Sequence, residues 1–140
     1  MKYCMHCMQL LMETDAECPF CGQAINVDYS PHHIIPGTIL NNRYLIGKVI
    51  GQGGFGITYI GRDLTLNVKI ALKEYYPNGY VSRSNNVSLT VNCNASESEK
   101  AFFEKGRERF LGEAQVLAKF RNEQGVVSVI DFFEDNNTEY

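Results

Sequence analysis

The alternation of apolar and polar positions along the chain predicts three strands, one helix and then two further strands. Tyr44-Leu45-Ile46-Gly47-Lys48-Val49-Ile50 and Ile57-Thr58-Tyr59-Ile60 are rich in β-branched and aromatic residues, the composition of strands. A third strand follows at Val68-Lys69-Ile70-Ala71-Leu72-Lys73-Glu74. There Ile70, Leu72 and Glu74 alternate with Lys69, Ala71 and Lys73, so Lys73 shares a face with Ala71. From Ser96 the period becomes helical. Ser96 and Glu99 fit a capping box, the pattern runs to about Phe120, and Phe103, Phe110, Ala114 and Leu117 fall on one face. Val126 to Phe133 predicts a fourth strand, and Thr138-Glu139-Tyr140 the start of a fifth. Between Pro77 and Ala95, Tyr80–Arg83 and Val87–Val91 predict an extra hairpin turned at Ser84-Asn85-Asn86.

The first two strands are joined by a glycine-rich stretch, GQGGFGITYIG over residues 51–61. Glycine is the default wherever a chain needs positive φ or close backbone approach, so the glycines alone say little. Their flanks say more. A dinucleotide-binding fingerprint needs the glycines to open a helix, and here a strand follows. A Walker A loop needs Gly-Lys-Ser/Thr at its end, and here Gly56 is followed by Ile57-Thr58. A glycine-rich β-hairpin remains.

The cysteines define a separate first segment. Four of the five lie within the first 21 residues, as Cys4-Met5-His6-Cys7 and Cys18-Pro19-Phe20-Cys21, followed by Gly22. Two C-x-x-C knuckles at this separation suit a tetrahedral Zn²⁺ site, because each turns tightly enough to aim two thiolates at one ion. A redox dithiol or a pair of disulfides is the alternative. So short a segment buries too little surface to fold unaided, and metal binding is what folds it. Residues 1–27 are therefore read as a structural zinc ribbon, with Cys4, Cys7, Cys18 and Cys21 as ligands and His6 as a spare donor. Cys93 stands apart as a small apolar side chain. Residues 28–37, DYSPHHIIPG, read as a semi-rigid linker in which His32 and His33 are solvated. Residues 38–140 form the main domain.

Composition narrows the partners. With 44% hydrophobic residues the chain can build a core, and 13 Lys+Arg against 16 Asp+Glu leaves a formal charge of −3. No basic surface calls for nucleic acid or an anionic membrane, and the ribbon itself carries one Lys and no Arg against Glu13, Asp15 and Glu17. No apolar run approaches the roughly 20 residues of a membrane span, and no secretory signal opens the chain, so a cytoplasmic location is expected. The sequons at Asn86, Asn94 and Asn136 are then incidental.

Lys73 and Glu113 are the chemically informative residues of the main domain. Taken alone, Lys73 could be an edge-strand lysine in water and Glu113 a solvated glutamate on a helix flank. Glu113 sits on the margin of the inward helix face, where a carboxylate needs a partner. Together with I-G-Q-G-G-F-G-I-T-Y, I-A-L-K and F-L-G-E-A, in that order and on those elements, they give a stretch that resembles the N-terminal lobe of a bacterial serine/threonine protein kinase of the eukaryotic-like type.

The resemblance spans roughly Thr38 to Tyr140 and implies an α+β fold: a zinc ribbon, then a kinase N-lobe of five antiparallel strands and one helix, with the extra hairpin before that helix and no C-lobe. It implies that backbone N–H groups of Gly51, Gly53, Gly54 and Gly56 cover the phosphates of ATP, which arrives with Mg²⁺. It also implies that Lys73 contacts those phosphates, that Glu113 holds Lys73, that Ile50 and Ala71 roof the adenine, and that Thr58 stands at a position the family usually gives to Val. Leu117 would pack behind the ion pair with Val129 as partner. The 140 residues contain neither His-Arg-Asp nor Asp-Phe-Gly, and Asp131-Phe132-Phe133 lacks the glycine. The chain is thus expected to be the front piece of a kinase acting on protein substrates, inactive alone and able to self-associate through an exposed lobe surface. A non-catalytic pseudokinase or scaffold using the ribbon for protein contacts is the alternative, and a ribbon that reads nucleic acid is a third reading.

Overall fold

A computed structural model of the chain describes residues 1–93, 96–120, 124–125 and 128–140. β1 (Lys2–Tyr3) pairs antiparallel with β2 (Leu10–Leu11) in the ribbon. β3 (Ile39–Leu40), β4 (Tyr44–Gln52), β5 (Gly56–Asp63) and β6 (Val68–Tyr75) form one antiparallel sheet in that spatial order. β7 (Val81–Ser82) pairs with β8 (Asn92–Cys93), α1 runs from Glu97 to Lys119, and β9 (Glu134–Asp135) pairs with β10 (Thr138–Glu139). Among the described residues no helix is long and apolar enough to cross a membrane.

The three long strands are the three that the alternation predicts. Asparagine, which tolerates left-handed backbone better than most residues, carries the turns at their ends. Asn41 and Asn42 turn β3 into β4, Asn67 leads into β6, and Asn136 with Asn137 joins β9 to β10, all with φ between 50° and 60°. At the β5 exit Arg43 forms a two-pronged bridge to buried Asp63, with Nε to Oδ1 at 3.0 Å and Nη2 to Oδ2 at 2.7 Å. That bond, with help from the Leu66 and Thr65 amides, holds the Asp63 carboxyl down at about 2.

α1 starts where the capping box places it, with Ser96 Oγ accepting from the Glu99 amide at 3.2 Å. Phe103 is buried against Tyr75, and Phe110 packs on the same ring. The helix is fastened to the last hairpin by Arg107, which reaches Glu134 at 2.6 Å and Glu139 at 2.7 Å.

The opposite face of the sheet is covered by the linker and by residues 76–93. Tyr59, Leu72 and Glu74 point there, packed under Ile34, Tyr76, Val81 and Val91. Glu74 and Arg83 are both fully buried and paired, Nη1 to Oε2 at 2.8 Å and Nη2 to Oε1 at 2.5 Å. Tyr59 and Tyr140 donate their hydroxyls to the same carboxylate at 3.2 Å and 2.6 Å. Arg83 Nε donates to the His32 carbonyl, and Tyr59 Oη accepts from the Ile34 amide.

Two expectations change. The chain does turn at Ser84-Asn85-Asn86, with the Val87 amide on the Ser84 carbonyl at 3.0 Å, but Val87–Val91 is not the partner strand: Val81–Ser82 pairs with Asn92–Cys93. Arg83 dives to Glu74, so the chain loops around it, and the Val91 amide is spent on the Asn136 carbonyl. Among the described residues the sheet has four strands where five are expected. Of the predicted fourth strand, Val126 and Val127 lie outside the described residues, and Ser128 to Phe132 form no strand ladder. β9 and β10 close on themselves instead, with Phe133 and Tyr140 exchanging backbone hydrogen bonds, and reach β6 through Thr138 Oγ1 on the Tyr75 carbonyl at 2.5 Å.

The two helical glycines separate cleanly. A Cβ at Gly106 would run into the Tyr75 hydroxyl, which is bonded to the Phe103 carbonyl, whereas one at Gly112 meets nothing within 4 Å. Close packing therefore explains Gly106 and not Gly112. Gly112→Ala is expected to stabilise the chain by roughly 1 kcal/mol through helix propensity. Gly106→Ala should destabilise it by about 1–3 kcal/mol despite the same propensity gain, because overpacking dominates. Thermal unfolding of the two variants checks the opposite signs.

Candidate functional site: a glycine turn, a lysine–glutamate pair and a four-cysteine centre

Strand alternation sends Lys73 to the face opposite Glu74, toward α1. Its Nζ lies 3.7 Å from Glu113 Oε1 and 5.9 Å from the centre of the Phe110 ring. Both side chains are more than half exposed, at 52% and 59%, so the pair holds geometry rather than stability, worth about 0–1 kcal/mol. It stands at a cleft of about 490 Å³ between β5, β6, α1 and residues 128–133. Thr58, Ala71, Lys73 and Glu113 line this cleft, together with Leu117 and Val129. Ile50, Gly51, Gly53, Gly54 and Gly56 do not line it.

The cleft also has walls that carry no motif in the sequence: Tyr44, Lys69, Asp131 and Tyr140, beside the inward helix residue Phe110. Phe110 is detectable as an inward helix position. Tyr44 donates to Asp131 Oδ2 at 2.5 Å, a contact across 87 positions that no local signal marks. Burial, reinforced by that carboxylate, pushes the Tyr44 hydroxyl up to about 12.

The glycine turn projects beyond the cleft as the end of the β4–β5 hairpin. Gly53 N–H donates to the Gly56 carbonyl at 2.9 Å. The Phe55 and Gly54 carbonyls accept from the amides of Tyr76 and Asn78, and Phe55 stacks on Phe102 of α1, 6.3 Å between centroids. At Gly56 a Cβ would sit 2.9 Å from the Glu74 carbonyl and 3.3 Å from Lys73 Cε, so only glycine lets Lys73 lie beneath the turn. At Gly53 and Gly54 a Cβ would meet open space, leaving backbone accessible. Such a turn can approach a polyanion closely through its amides.

Four sulfurs make the second site. Those of Cys4, Cys7, Cys18 and Cys21 all lie within 4.8 Å of one another. Peptide N–H groups of His6 and Cys7 aim at Cys4, and those of Phe20 and Cys21 at Cys18, the pattern that stabilises thiolates. Burial pushes the Cys7 thiol up to about 12; at Cys18 burial acts in the same direction, but the Cys21 and Phe20 amides together with the Cys21 and Cys7 side chains outweigh it and the thiol falls to about 7. The cluster could hold one metal ion, and the donor set is consistent with a zinc ribbon. His6 is outside it, its Nε2 on the Asn26 carbonyl at 3.2 Å.

The two knuckles differ at the residue after the second cysteine. Gly22 has φ 74° and Met8 has φ 61°. A non-glycine residue in that region costs roughly 1–2 kcal/mol, and Met8 has a compensating contact. Its fully buried side chain lies over Gly47 of β4, where a Cβ would also come within 2.6 Å of the Met5 carbonyl. The β4–β5 ladder shifts register between Ile46 and Val49, and inside that irregularity the Lys48 amide donates to Met5 O at 3.0 Å. Arg62 completes the dock, bonding Met8 O at 3.1 Å and lying over the Tyr3 ring. The ribbon is thus seated on the sheet, with β4 irregular where it lands.

These elements make a mixed α and β chain with, among the described residues, one helix, curled antiparallel sheets and a four-cysteine centre. It is similar to a solved structure described as "PpkA-294 apo form", with a TM-score of 0.70 and 33% sequence identity over 77% of this chain. The chain spans 37% of the length of that structure. No family profile and no curated protein matches it.

Gly47→Ala tests the seating. It is expected to leave the four thiols able to bind metal while raising proteolytic cleavage between residues 22 and 37, because the knuckle no longer fits on β4. Limited proteolysis with parallel metal analysis reads both.

Proposed function

We propose that the chain is the ATP-binding lobe of a serine/threonine protein kinase of the eukaryotic-like bacterial type, with a structural zinc ribbon seated on its sheet. The observation that carries this reading is the Lys73–Glu113 pair joining β6 to α1 at the cleft, with Gly56 closing over the Lys73 stem. The likeness to the PpkA-294 structure supports a kinase-related fold.

In this reading the adenine lies against Ala71 and Thr58 at the cleft wall, and the glycine turn covers the phosphates. Lys73 neutralises charge on the α- and β-phosphates, and Glu113 keeps the ammonium from swinging into solvent. Mg²⁺ arrives with ATP. Without His-Arg-Asp or Asp-Phe-Gly the 140 residues supply neither the base for a substrate hydroxyl nor the Mg²⁺ ligands. The chain alone therefore binds ATP weakly and transfers no phosphate, and protein substrates belong to the whole kinase. Ile50, Phe55, Val116 and Ile130, each about half exposed, offer an apolar surface for self-association. In the ribbon, Cys4, Cys7, Cys18 and Cys21 would hold Zn²⁺ in a closed shell, which supplies folding energy and no open coordination position.

Magnesium–ATP at millimolar concentration is expected to shift the amide resonances of the glycine turn and of Ala71–Lys73, with the shifts lost in Lys73→Met. No perturbation there, or one that Lys73→Met leaves intact, overturns the nucleotide assignment. Elemental analysis should find one zinc per chain, lost in Cys18→Ser. A chain that remains folded after chelation contradicts the structural role.

A further inference from the structure

Gln52, between Gly51 and Gly53 of the turn, is held by the linker. His33 Nδ1 accepts from the Ser30 amide at 3.1 Å, which leaves the proton on Nε2, 3.0 Å from Gln52 Oε1. Gln52 Nε2 in turn donates to His32 Nε2 at 3.1 Å. The chain of bonds runs from Ser30 through His33 and Gln52 to His32, and it needs both imidazoles neutral, each in one tautomer. Gln52 is exposed, and among the described residues its side-chain hydrogen bonds are those of this bridge.

We infer that the His33–Gln52–His32 bridge is a proton-sensitive latch through which the linker positions the glycine-rich turn. Protonated at Nε2, His32 turns an N–H toward the Gln52 amide nitrogen and keeps only its 3.4 Å contact with Oε1, an atom His33 already occupies. The surroundings oppose that charge. His32 faces the His33 ring at 4.3 Å and Tyr76 at 5.7 Å, and its carbonyl accepts from Arg83, whose own partner is Glu74. His33 meets the edge of Tyr59 and shares a cavity with Lys48, Asp28 and His6. Burial first, then His33, lowers the His32 pKa from 6.5. The neutral form is the one the fold favours, so the latch is closed at neutral pH and opens only on acidification below the ordinary imidazole range.

The value of the latch to phosphate binding rests on the kinase reading; its existence does not, and hydrogen exchange without nucleotide tests it separately. Protection factors of the amides from Gly51 to Gly56 are expected to fall roughly threefold to tenfold in Gln52→Leu at about pH 7.5, the worth of one or two net hydrogen bonds. The wild-type chain should lose the same protection progressively as pH is lowered through the acidic range below that of a free imidazole, and Gln52→Leu should show no such loss. Gln52→Glu should reverse the sign, gaining protection on acidification as its carboxylate meets protonated His32. Equal protection and equal pH response in wild type and Gln52→Leu overturn the proposal. So does a loss that spreads to the β5–β6 ladder, and His32→Gln repeats the comparison should Gln52→Leu fail to fold.

Discussion

Glu74 and Arg83 are two charges whose side chains are wholly buried. Desolvating such a pair is expensive, and attraction offsets the cost only when geometry is good and the remaining polar atoms find partners. Here they do: the carboxylate takes two bonds from the guanidinium and one each from Tyr59 and Tyr140. The guanidinium also bonds the His32 and Leu89 carbonyls. Strand, linker, insertion and final hairpin therefore meet at one carboxylate, and each group added raises the penalty for removing another.

That constraint fixes the other face of the same strand. With Glu74 pinned inward, alternation leaves Lys73 on the other face, beneath Gly56 and toward Glu113. The linker is held against the sheet by the same cluster, which brings His32 and His33 within reach of Gln52. The ribbon is anchored separately, on the irregular part of β4 at Gly47 and Lys48. Cleft, turn and ribbon thus share one short hairpin, and a disturbance of β4 or β6 is felt at more than one of them.

The parts legible in the sequence are those whose signals are local. Cysteine spacing, strand alternation, the capping box at Ser96 and the glycines between two strands each declare themselves within a few residues. The pairing of Lys73 with Glu113 is suggested only by likeness to a family, and the structure places them 3.7 Å apart. What stays hidden depends on distant packing. Glu74 reads as one more position in a strand until Arg83 folds under it. His32 and His33 look solvated until Gln52 arrives from the hairpin. The turn at Ser84-Asn85-Asn86 is legible by residue type and forms, yet Arg83 commits the chain to Glu74 and Asn92–Cys93, not Val87–Val91, becomes the partner strand. Gly106 has no local explanation, since its reason is the hydroxyl of Tyr75.

The central claim is that the buried Glu74–Arg83 pair organises the lobe, and a double-mutant cycle by denaturant unfolding tests it directly. Glu74→Gln and Arg83→Met are each expected to cost roughly 3–5 kcal/mol, because each strands the other's charge or donors in the core. The double replacement should cost little more than either alone, giving a coupling of several kcal/mol. Losses that simply add, or single losses below about 1 kcal/mol as for a surface pair, would contradict the account.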